Sequence, residues 1–261
     1  MNQDYLRQKG RIGLAAALLV VLVGMFPNAS RADAGKEDSA SVWPEKGAVE
    51  YRVSYGESGP TLGQAHYSWS HDGKKYQMRL ALKTTGAVAA LHKFDYVQMS
   101  QGDIEKEGLR PLRFDVNHQG KPPDMALFDW DEKSGARVSI RRGGKERKNL
   151  ELAPGDQDVL SIWRQIGHVD KLPDNLLVVA NKSARRAKVV SLGEATLKVP
   201  AGQFATRHFN SRSDDGRQRL DFWLASSHHM VPVRIILGDS NIMGSLVLEA
   251  TALHIPAPDP K

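Results

Sequence analysis

Hydrophobic and polar positions alternate along much of the chain, with the period of two that is typical of β-strands with one buried face. The first clear case is the segment Val49–Tyr55, in which Val49, Tyr51, Val53 and Tyr55 alternate with polar side chains. Two similar segments follow after short connections that are rich in turn-forming residues. Three consecutive strands joined in this way predict an antiparallel meander.

Strand-like segments continue to the C-terminal end of the chain at a similar spacing. They are expected at Phe94–Ser100, Leu112–His118, Ala126–Trp130, Ala136–Arg141, Leu176–Asn181, Lys188–Leu192, Ala195–Val199, Phe204–Asn210, Arg219–Leu224, Val231–Leu237 and Ser245–Ala250. This number of short strands indicates an all-β fold with one large curved antiparallel sheet. The pattern leaves open whether the sheet forms an open or a closed β-barrel.

One segment near the middle of the chain has a helical period. Its apolar residues are Val159, Ile162, Trp163 and Ile166. Asp156 or Asp158 precedes them and is suited to cap the first turn. The spacing therefore predicts one inserted helix, which we expect to cover an open side of the sheet.

The N-terminal segment has the features of a cleaved signal peptide over residues 1–34. Arg7, Lys9 and Arg11 precede an uncharged apolar run, Ile12–Met25, and the small-x-small pattern Ala32–Ala34 follows it. The run is shorter than the roughly 20 residues that a membrane-spanning helix needs. We therefore expect the mature protein in the periplasm of a Gram-negative envelope, and a short uncleaved anchor is the alternative.

Composition agrees with a single folded domain. At 41% hydrophobic and 25% charged residues the chain has a globular composition. We expect a flexible leader at 35–44, one β-barrel-like domain at 45–254 and a C-terminal tail at 255–261. The chain contains no cysteine, which excludes disulfides, thiolate metal sites, a cysteine nucleophile and a cysteine-linked lipid. Removal of the predicted signal peptide takes away four basic and two acidic residues and lowers the net charge from +6 to +4. This mild excess suits an anionic lipid or polysaccharide surface better than nucleic acid.

Aromatic side chains are the main candidates for ligand binding. The set lies on the apolar phase of the first three strands and on the predicted helix: Tyr51, Tyr55, Tyr67, Trp69, Tyr76 and Trp163. In a small barrel such residues fill the core. In an incompletely closed barrel they would line a cavity for an apolar or lipid-like ligand, with the helix as its lid.

Two basic clusters admit a second pair of interpretations. They comprise Arg141, Arg142, Lys145 and Arg147 around a Gly-Gly turn, and Arg185 and Arg186 in a later connection. Charge at hairpin tips keeps loops soluble and protects strand edges from aggregation. Alternatively, the clusters face the phosphates of an anionic membrane, where each basic residue contributes about 1 kcal/mol.

Catalytic signatures are absent from the sequence. It has no G-x-S-x-G, S-x-x-K, H-E-x-x-H or G-x-x-x-x-G-K motif. Asp129 and Asp131 flank Trp130 as a potential carboxylate pair, but polar turn residues follow, which favours a solvated strand end. His228 and His229 are adjacent and lack a spaced third ligand. We therefore expect no cofactor, no metal and a non-enzymatic role.

Several local patterns, taken in order, resemble a bacterial exported family known as domain of unknown function 3108. The segments that carry this resemblance are Ala48–Gly56, Gln101–Gly102, Gly108–Pro111, Phe128–Trp130, Gln157–Ser161, Pro200–Phe204, Phe222–Leu224 and Val231–Ile235. The resemblance extends from about Trp43 to Leu253. It implies export and supplies no catalytic residue.

The C-terminal hairpin is also similar to that of outer-membrane lipoprotein carriers. The shared segments are Trp223–Leu224, Pro232–Ile235 and Gly238–Asp239. That resemblance implies an open half-barrel in which an inserted helix closes an apolar cavity.

Three hypotheses follow for the function. In the first, a periplasmic half-barrel binds an apolar or lipid-like ligand. In the second, a filled barrel acts as a structural or assembly factor for a protein of the cell envelope. A hydrolase acting on envelope sugars or lipids comes third. In each case the strand patterns predict that Tyr51 and Trp223 are buried.

Overall fold

The computed structural model describes residues 43–91, 93–118, 120–131, 133–169, 171–180, 183–239 and 244–256. The predicted signal peptide, most of the predicted leader and the last residues of the tail lie outside these ranges. The elements are β1 (Lys46–Tyr55), β2 (Thr61–His71), β3 (Lys75–Thr84), α1 (Gly86–Leu91), β4 (Asp95–Glu105), β5 (Gly108–His118), β6 (Asp124–Asp129), β7 (Arg137–Arg142), β8 (Lys145–Glu151), β9 (Gln157–Asp158), α2 (Ser161–His168), β10 (Leu176–Val179), β11 (Ala184–Val199), β12 (Gly202–Ser213), β13 (Gln218–Ala225), β14 (Val231–Asp239) and β15 (Ser245–His254).

All strands join one fifteen-stranded sheet in the order β8-β7-β6-β5-β4-β3-β2-β1-β15-β14-β13-β12-β11-β10-β9. Successive strands are antiparallel neighbours from β1 to β8 and again from β10 to β15. The first and last strands pair with each other in the middle of the sheet, with Tyr51 opposite Ala250. The short β9 pairs with β10 in parallel. The prediction of an all-β fold is confirmed, and the sheet is open because β8 and β9 are its two ends.

The main core lies on one face of the sheet, where alternate residues of each strand point inward. One row of cross-strand partners joins Phe209, Phe222, Ile235, Leu248 and Val53 on five adjacent strands. All five side chains are buried. Each contributes roughly 1.5–3 kcal/mol through removal of its apolar surface from water.

Helix α2 covers this inner face, as the sequence predicts. The ring of Trp163 lies 5.3 Å from that of Tyr67 and 6.5 Å from that of Phe222, measured between centroids. The helix begins later than the first residues of the periodic segment because Asp158 belongs to β9. Helix α1 was not predicted, since its six residues are too few to show a period.

One strand was not predicted, and the expected burial of Trp223 is wrong. The segment Lys145–Glu151 forms β8, although it has no apolar alternation, because it is an edge strand that pairs only with β7. Charged, exposed side chains are common on such edges. Trp223 is half-buried and lies 4.0 Å from the ring of His208, stacked on it, and beneath the guanidinium of Arg234.

Tyr51→Ala is expected to lower the free energy of unfolding by about 3–5 kcal/mol, because it empties a fully buried site. Tyr51→Phe is expected to cost about 1 kcal/mol, the value of the hydrogen bond from Tyr51 Oη to the carbonyl of Pro232. Trp223→Ala is the matched control for loss of a large aromatic ring and should cost less than Tyr51→Ala. Urea unfolding measures all three, and equal costs for the two alanine variants would contradict the assignment.

Candidate functional site

The aromatic residues predicted to line a ligand cavity form a packed cluster. Tyr67 contacts Trp69, with 5.6 Å between the ring centroids. The indole N–H of Trp69 donates to the carbonyl of Pro44 at 2.9 Å. Tyr51, Tyr67, Trp69, Tyr76 and Trp163 are all buried. The hydroxyl of Tyr51 and the indole N–H of Trp69 are thus bonded within the fold, whereas the indole N–H of Trp163 is buried without a hydrogen-bond partner among the described residues.

Little space remains inside this cluster. The gap bounded by Trp43, Tyr67, Trp69, Trp163, Arg164 and the segment Met230–Pro232 has a volume of about 10 Å³. One water molecule needs roughly 10–15 Å³ by this measure. The predicted ligand-lining set is therefore a filled core in this structure. Tyr55 is a further departure from the expected pattern, because it is 38% exposed at the end of β1.

A buried carboxylate organises the entry to α2. Asp158 accepts hydrogen bonds from the hydroxyl of Ser100 at 2.5 Å and from the backbone N–H groups of Leu160 and Ser161 at 2.8 and 2.9 Å. It thereby accepts the N–H groups at the start of α2, but the N-cap position is occupied by Leu160 and not by the predicted Asp156 or Asp158. Complete burial raises the pKa of Asp158 to about 6, although these hydrogen bonds act in the opposite direction.

Two glutamine side chains join the segment of β9 and α2 to strand β5. The backbone N–H of Leu109 donates to Oε1 of Gln165 at 2.6 Å. Nε2 of Gln157 donates to the carbonyl of Leu109 at 2.8 Å. Both polar groups of one β5 residue are thus satisfied by side-chain amides instead of a neighbouring strand. These contacts define the seam between the two halves of the open sheet.

A cleft of about 400 Å³ lies at this seam. Its walls come from the β4–β5 turn, the end of β6 and the segment before β9: Glu105, Glu107, Gly108, Leu109, Arg110, Trp130, Ala136, Leu152, Pro154, Gly155 and Gln165. The volume falls within the range of small-molecule sites. We name this the seam cleft.

Arg110 and Trp130 give the seam cleft its polar and aromatic character. The guanidinium of Arg110 lies 5.4 Å from the ring centroid of Trp130. It donates to Oε1 of Glu105 at 2.7 Å and to the carbonyl of Trp130 at 3.2 Å. The indole N–H of Trp130 donates to the carbonyl of Pro111 at 2.6 Å, which fixes the ring. The arrangement suits a ligand that has an apolar body and an anionic group.

The sequence did not single out the residues of the seam cleft as a site. They come from segments distant in the chain, and the one signal was that Gly108–Pro111 and Phe128–Trp130 both belong to the family-like patterns. Asp129 and Asp131 lie nearby but are exposed. They accept the backbone N–H groups of Asp131 and Lys133 at 3.1 and 3.0 Å, so they stabilise a turn.

The two basic clusters are not brought together. Arg185 and Arg186 form ion pairs with Asp215 and Asp156 at 2.7 and 2.8 Å, and these carboxylates compensate their charge. Arg186 also donates to the carbonyl of Glu151 at 3.3 Å, at the opposite end of β8 from the β7–β8 turn.

The β7–β8 tip is the more exposed basic cluster. The distance along β8 between Lys145 and Glu151 is about 20 Å at roughly 3.3 Å per residue. Arg141, Lys145 and Arg147 are exposed. Contact of this tip with an anionic membrane stays a prediction.

No group of three His, Cys, Asp or Glu side chains suited to a metal occurs within the part of the chain that the structure describes. In that same part, no helix has the length and apolar character needed to span a membrane.

Asp158→Asn is expected to remove a pH dependence of stability. The folded chain binds the Asp158 proton more tightly than the unfolded chain, because burial raises the pKa from 3.8 to about 6. Relative to the variant, the free energy of unfolding of the wild type should therefore fall by about 2 kcal/mol as the pH rises from about 4 to about 6.

Urea unfolding at a series of pH values measures this difference. Asp129→Asn, which alters an exposed carboxylate, is the control and should keep the wild-type slope. Parallel curves for the wild type and Asp158→Asn would contradict the assignment.

The fold resembles a solved β-barrel-like protein of the domain of unknown function DUF1849 from Brucella abortus. The TM-score is 0.53 at 11% sequence identity, and the alignment covers 82% of this chain and 98% of that chain. At this identity the likeness concerns the fold alone. No curated protein matches the sequence.

Two further structures align with TM-scores too low to support an argument. One, from Parabacteroides distasonis, is provisionally described as a lipoprotein (TM-score 0.30, 11% identity, 81% of this chain and 97% of that chain). The other, from Bacteroides fragilis, is provisionally described as an exported protein with a YmcC-like fold (TM-score 0.29, 11% identity, 81% of this chain and 96% of that chain). A family model matches residues 50–251. The chain therefore belongs to DUF3108, a family of proteins of unknown function.

Proposed function

We propose that this protein is a non-enzymatic periplasmic binding protein whose ligand is a single-chain amphiphile with an anionic head. The observation that carries the proposal is the seam cleft, which combines an apolar and aromatic wall with one arginine at its rim. We place the ligand in the seam cleft and not in the interior, because the space among the core aromatic side chains is only about 10 Å³.

The walls of the seam cleft fit the apolar part of such a ligand. Leu109 is buried, and Leu152 and Trp130 are half-buried. A ligand chain lying on them removes this surface from water, which contributes roughly 25 cal/mol per Å². The indole ring of Trp130 is held by its hydrogen bond to Pro111, so little side-chain entropy is lost on binding.

Arg110 fits the anionic head. It is paired with Glu105, and both side chains are more than one third exposed. A pair this exposed contributes at most about 1 kcal/mol. A carboxylate or phosphate of the ligand competes for the same guanidinium, which binds such groups in a bidentate manner. Glu105 and Glu107 at the rim oppose ligands with several negative charges.

The first experiment is native mass spectrometry of gently purified mature protein, with lipid extraction of the same sample. A stoichiometric amphiphile is the expected result. The affinity of the protein for oleate, which serves as the probe, is then measured by isothermal titration calorimetry.

Arg110→Gln is expected to weaken oleate binding about 10-fold or more, because a hydrogen bond to a charged group is worth about 1.5–3 kcal/mol. Trp130→Ala should weaken it as well. Trp223→Ala removes a tryptophan from a strand remote from the seam cleft and is the matched control, with unchanged affinity. Failure of the wild type to bind oleate, or equal oleate affinities in all variants, would contradict the proposal.

A second function is favoured by a different feature. Strand β11 pairs with β12 along one edge. On its other edge, the pairing with β10 ends at Ala187 within the described strands. Beyond it, Val190 and Leu192 are 42% and 56% exposed. A free strand edge with exposed apolar residues suits the addition of a strand from a partner protein. This arrangement supports a role as an assembly factor.

A photo-crosslinking residue at position 192 tests this role in intact cells. We expect one discrete adduct with an envelope protein, which Val190→Lys should abolish. Position 99 is the control, because Met99 is 39% exposed on a strand that is paired on both edges. Identical adduct patterns at both positions would count against a specific edge contact.

A further inference from the structure

The β7–β8 tip, residues 141–148, accounts for the excess positive charge of the protein. It contains five basic side chains and one acidic side chain, Glu146, which gives it a net charge of +4. The predicted mature chain as a whole also has a net charge of +4, so the basic and acidic residues outside the tip balance. The excess charge is therefore concentrated at the end of one hairpin.

The exposed cations of the tip lack acidic partners. They are Arg141, Lys145, Arg147 and Lys148. No ion pair found among the described residues includes any of them. Glu146 instead accepts a hydrogen bond from the hydroxyl of Ser139 at 2.5 Å. By contrast, Lys75 at another strand end is paired with Asp103 at 2.9 Å.

The hairpin turn places two positive charges directly opposite each other. Gly143 and Gly144 have φ values of 55° and 79°, and positive φ at both central residues is typical of a two-residue turn of type I′. Across this turn Arg142 is the cross-strand partner of Lys145. Like charges at directly opposite positions destabilise a pair of strands. Protection of a strand edge requires charge but not charge of a single sign, so edge protection does not account for this arrangement.

The cations surround the tip and do not share one face. Ile140 is buried and lies opposite Lys148, which places Lys148 on the inner face of the sheet. Arg141 follows Ile140 in the same strand and therefore lies on the outer face. Residues 141–148 include no apolar side chain. A flat and diffuse layer of negative charge fits this distribution better than a pocket that is approached from one side.

We infer that the β7–β8 tip docks the protein on an anionic lipid bilayer. Its four exposed cations contact the phosphate groups of the lipid head groups. Each basic side chain near such a surface contributes about 1 kcal/mol, which corresponds to about 5-fold in partitioning. The contact is peripheral, because the tip has no apolar side chain that could enter the hydrocarbon. The inference goes beyond the proposed amphiphile binding and does not rest on it.

Flotation of the full mature protein with lipid vesicles tests the inference. The wild type should bind vesicles that contain phosphatidylglycerol and should not bind vesicles of phosphatidylcholine alone. Binding should disappear at about 1 M salt, which screens charges beyond about 3 Å. Equal binding to the two kinds of vesicle, or binding that survives this salt, would overturn the inference, since either result indicates an apolar contact.

A double variant separates the tip from the charge of the whole protein. Arg147→Gln combined with Lys148→Gln should weaken binding to phosphatidylglycerol vesicles about 25-fold, at about 5-fold for each side chain. Arg79→Gln combined with Lys198→Gln is the matched control, because it also removes two exposed basic side chains. The control should bind nearly as tightly as the wild type. Equal losses in the two double variants would overturn the inference in favour of overall charge.

Two further measurements complete the test. Thermal unfolding should give the wild-type Tm for both double variants, since all four positions are exposed. The affinity for oleate without vesicles should be unchanged in the tip variant, because the tip is separate from the seam cleft. Loss of vesicle binding by the wild type with oleate binding retained would overturn this inference alone. Absence of vesicle binding together with binding of polyglutamate would overturn it in favour of an acidic polypeptide.

Discussion

The structure depends on covering the apolar face of a sheet that does not close. Fifteen strands curve around a core that the sheet alone leaves open along one seam. The segment with β9 and α2 fills this seam, and in doing so it carries backbone and charged groups into an apolar interior. Each such group needs a partner, because an unpaired buried donor or acceptor costs about 1–3 kcal/mol. Asp158, Gln157 and Gln165 supply several of these hydrogen-bond partners. Arg164 has a partner for only one of its three side-chain nitrogen atoms among the described residues.

This solution separates the interior from the place where a ligand fits. The helix and the aromatic side chains pack so closely that the core has no room for a ligand and serves to stabilise the fold. The covering segment meets β5 through side-chain amides, so the seam lacks the continuous ladder of a paired edge. A cleft persists there, with Trp130 and Arg110 at its border. The covering segment that stabilises the fold therefore also leaves the seam cleft beside it.

The strands and α2 were predictable because burial of one face imposes a period on the sequence. Tyr51, Val53 and Tyr67 follow that period closely. Trp223 does not, because a register shift lies between Trp223 and Leu224 and side chains on both faces of that strand are buried. The seam cleft was not predictable, since Leu109, Trp130 and Leu152 are joined only by the curvature of the sheet. Arg164 resembles any basic residue on an amphipathic helix, and only the packing around it shows that it has no access to water.

The pairing of β1 with β15 has a consequence for how the chain folds. The ion pair between Arg52 and Glu249 joins residues that are 197 positions apart, and both belong to the middle of the sheet. Loops of this length close slowly, because contacts of high sequence separation are made only after much chain entropy has been lost. A chain that emerges with its N-terminus first can build the hairpins from β1 to β8 early. Its central pair forms only when the last strand is free, so a chain shortened at the C-terminus would expose the edge of β1 to other molecules.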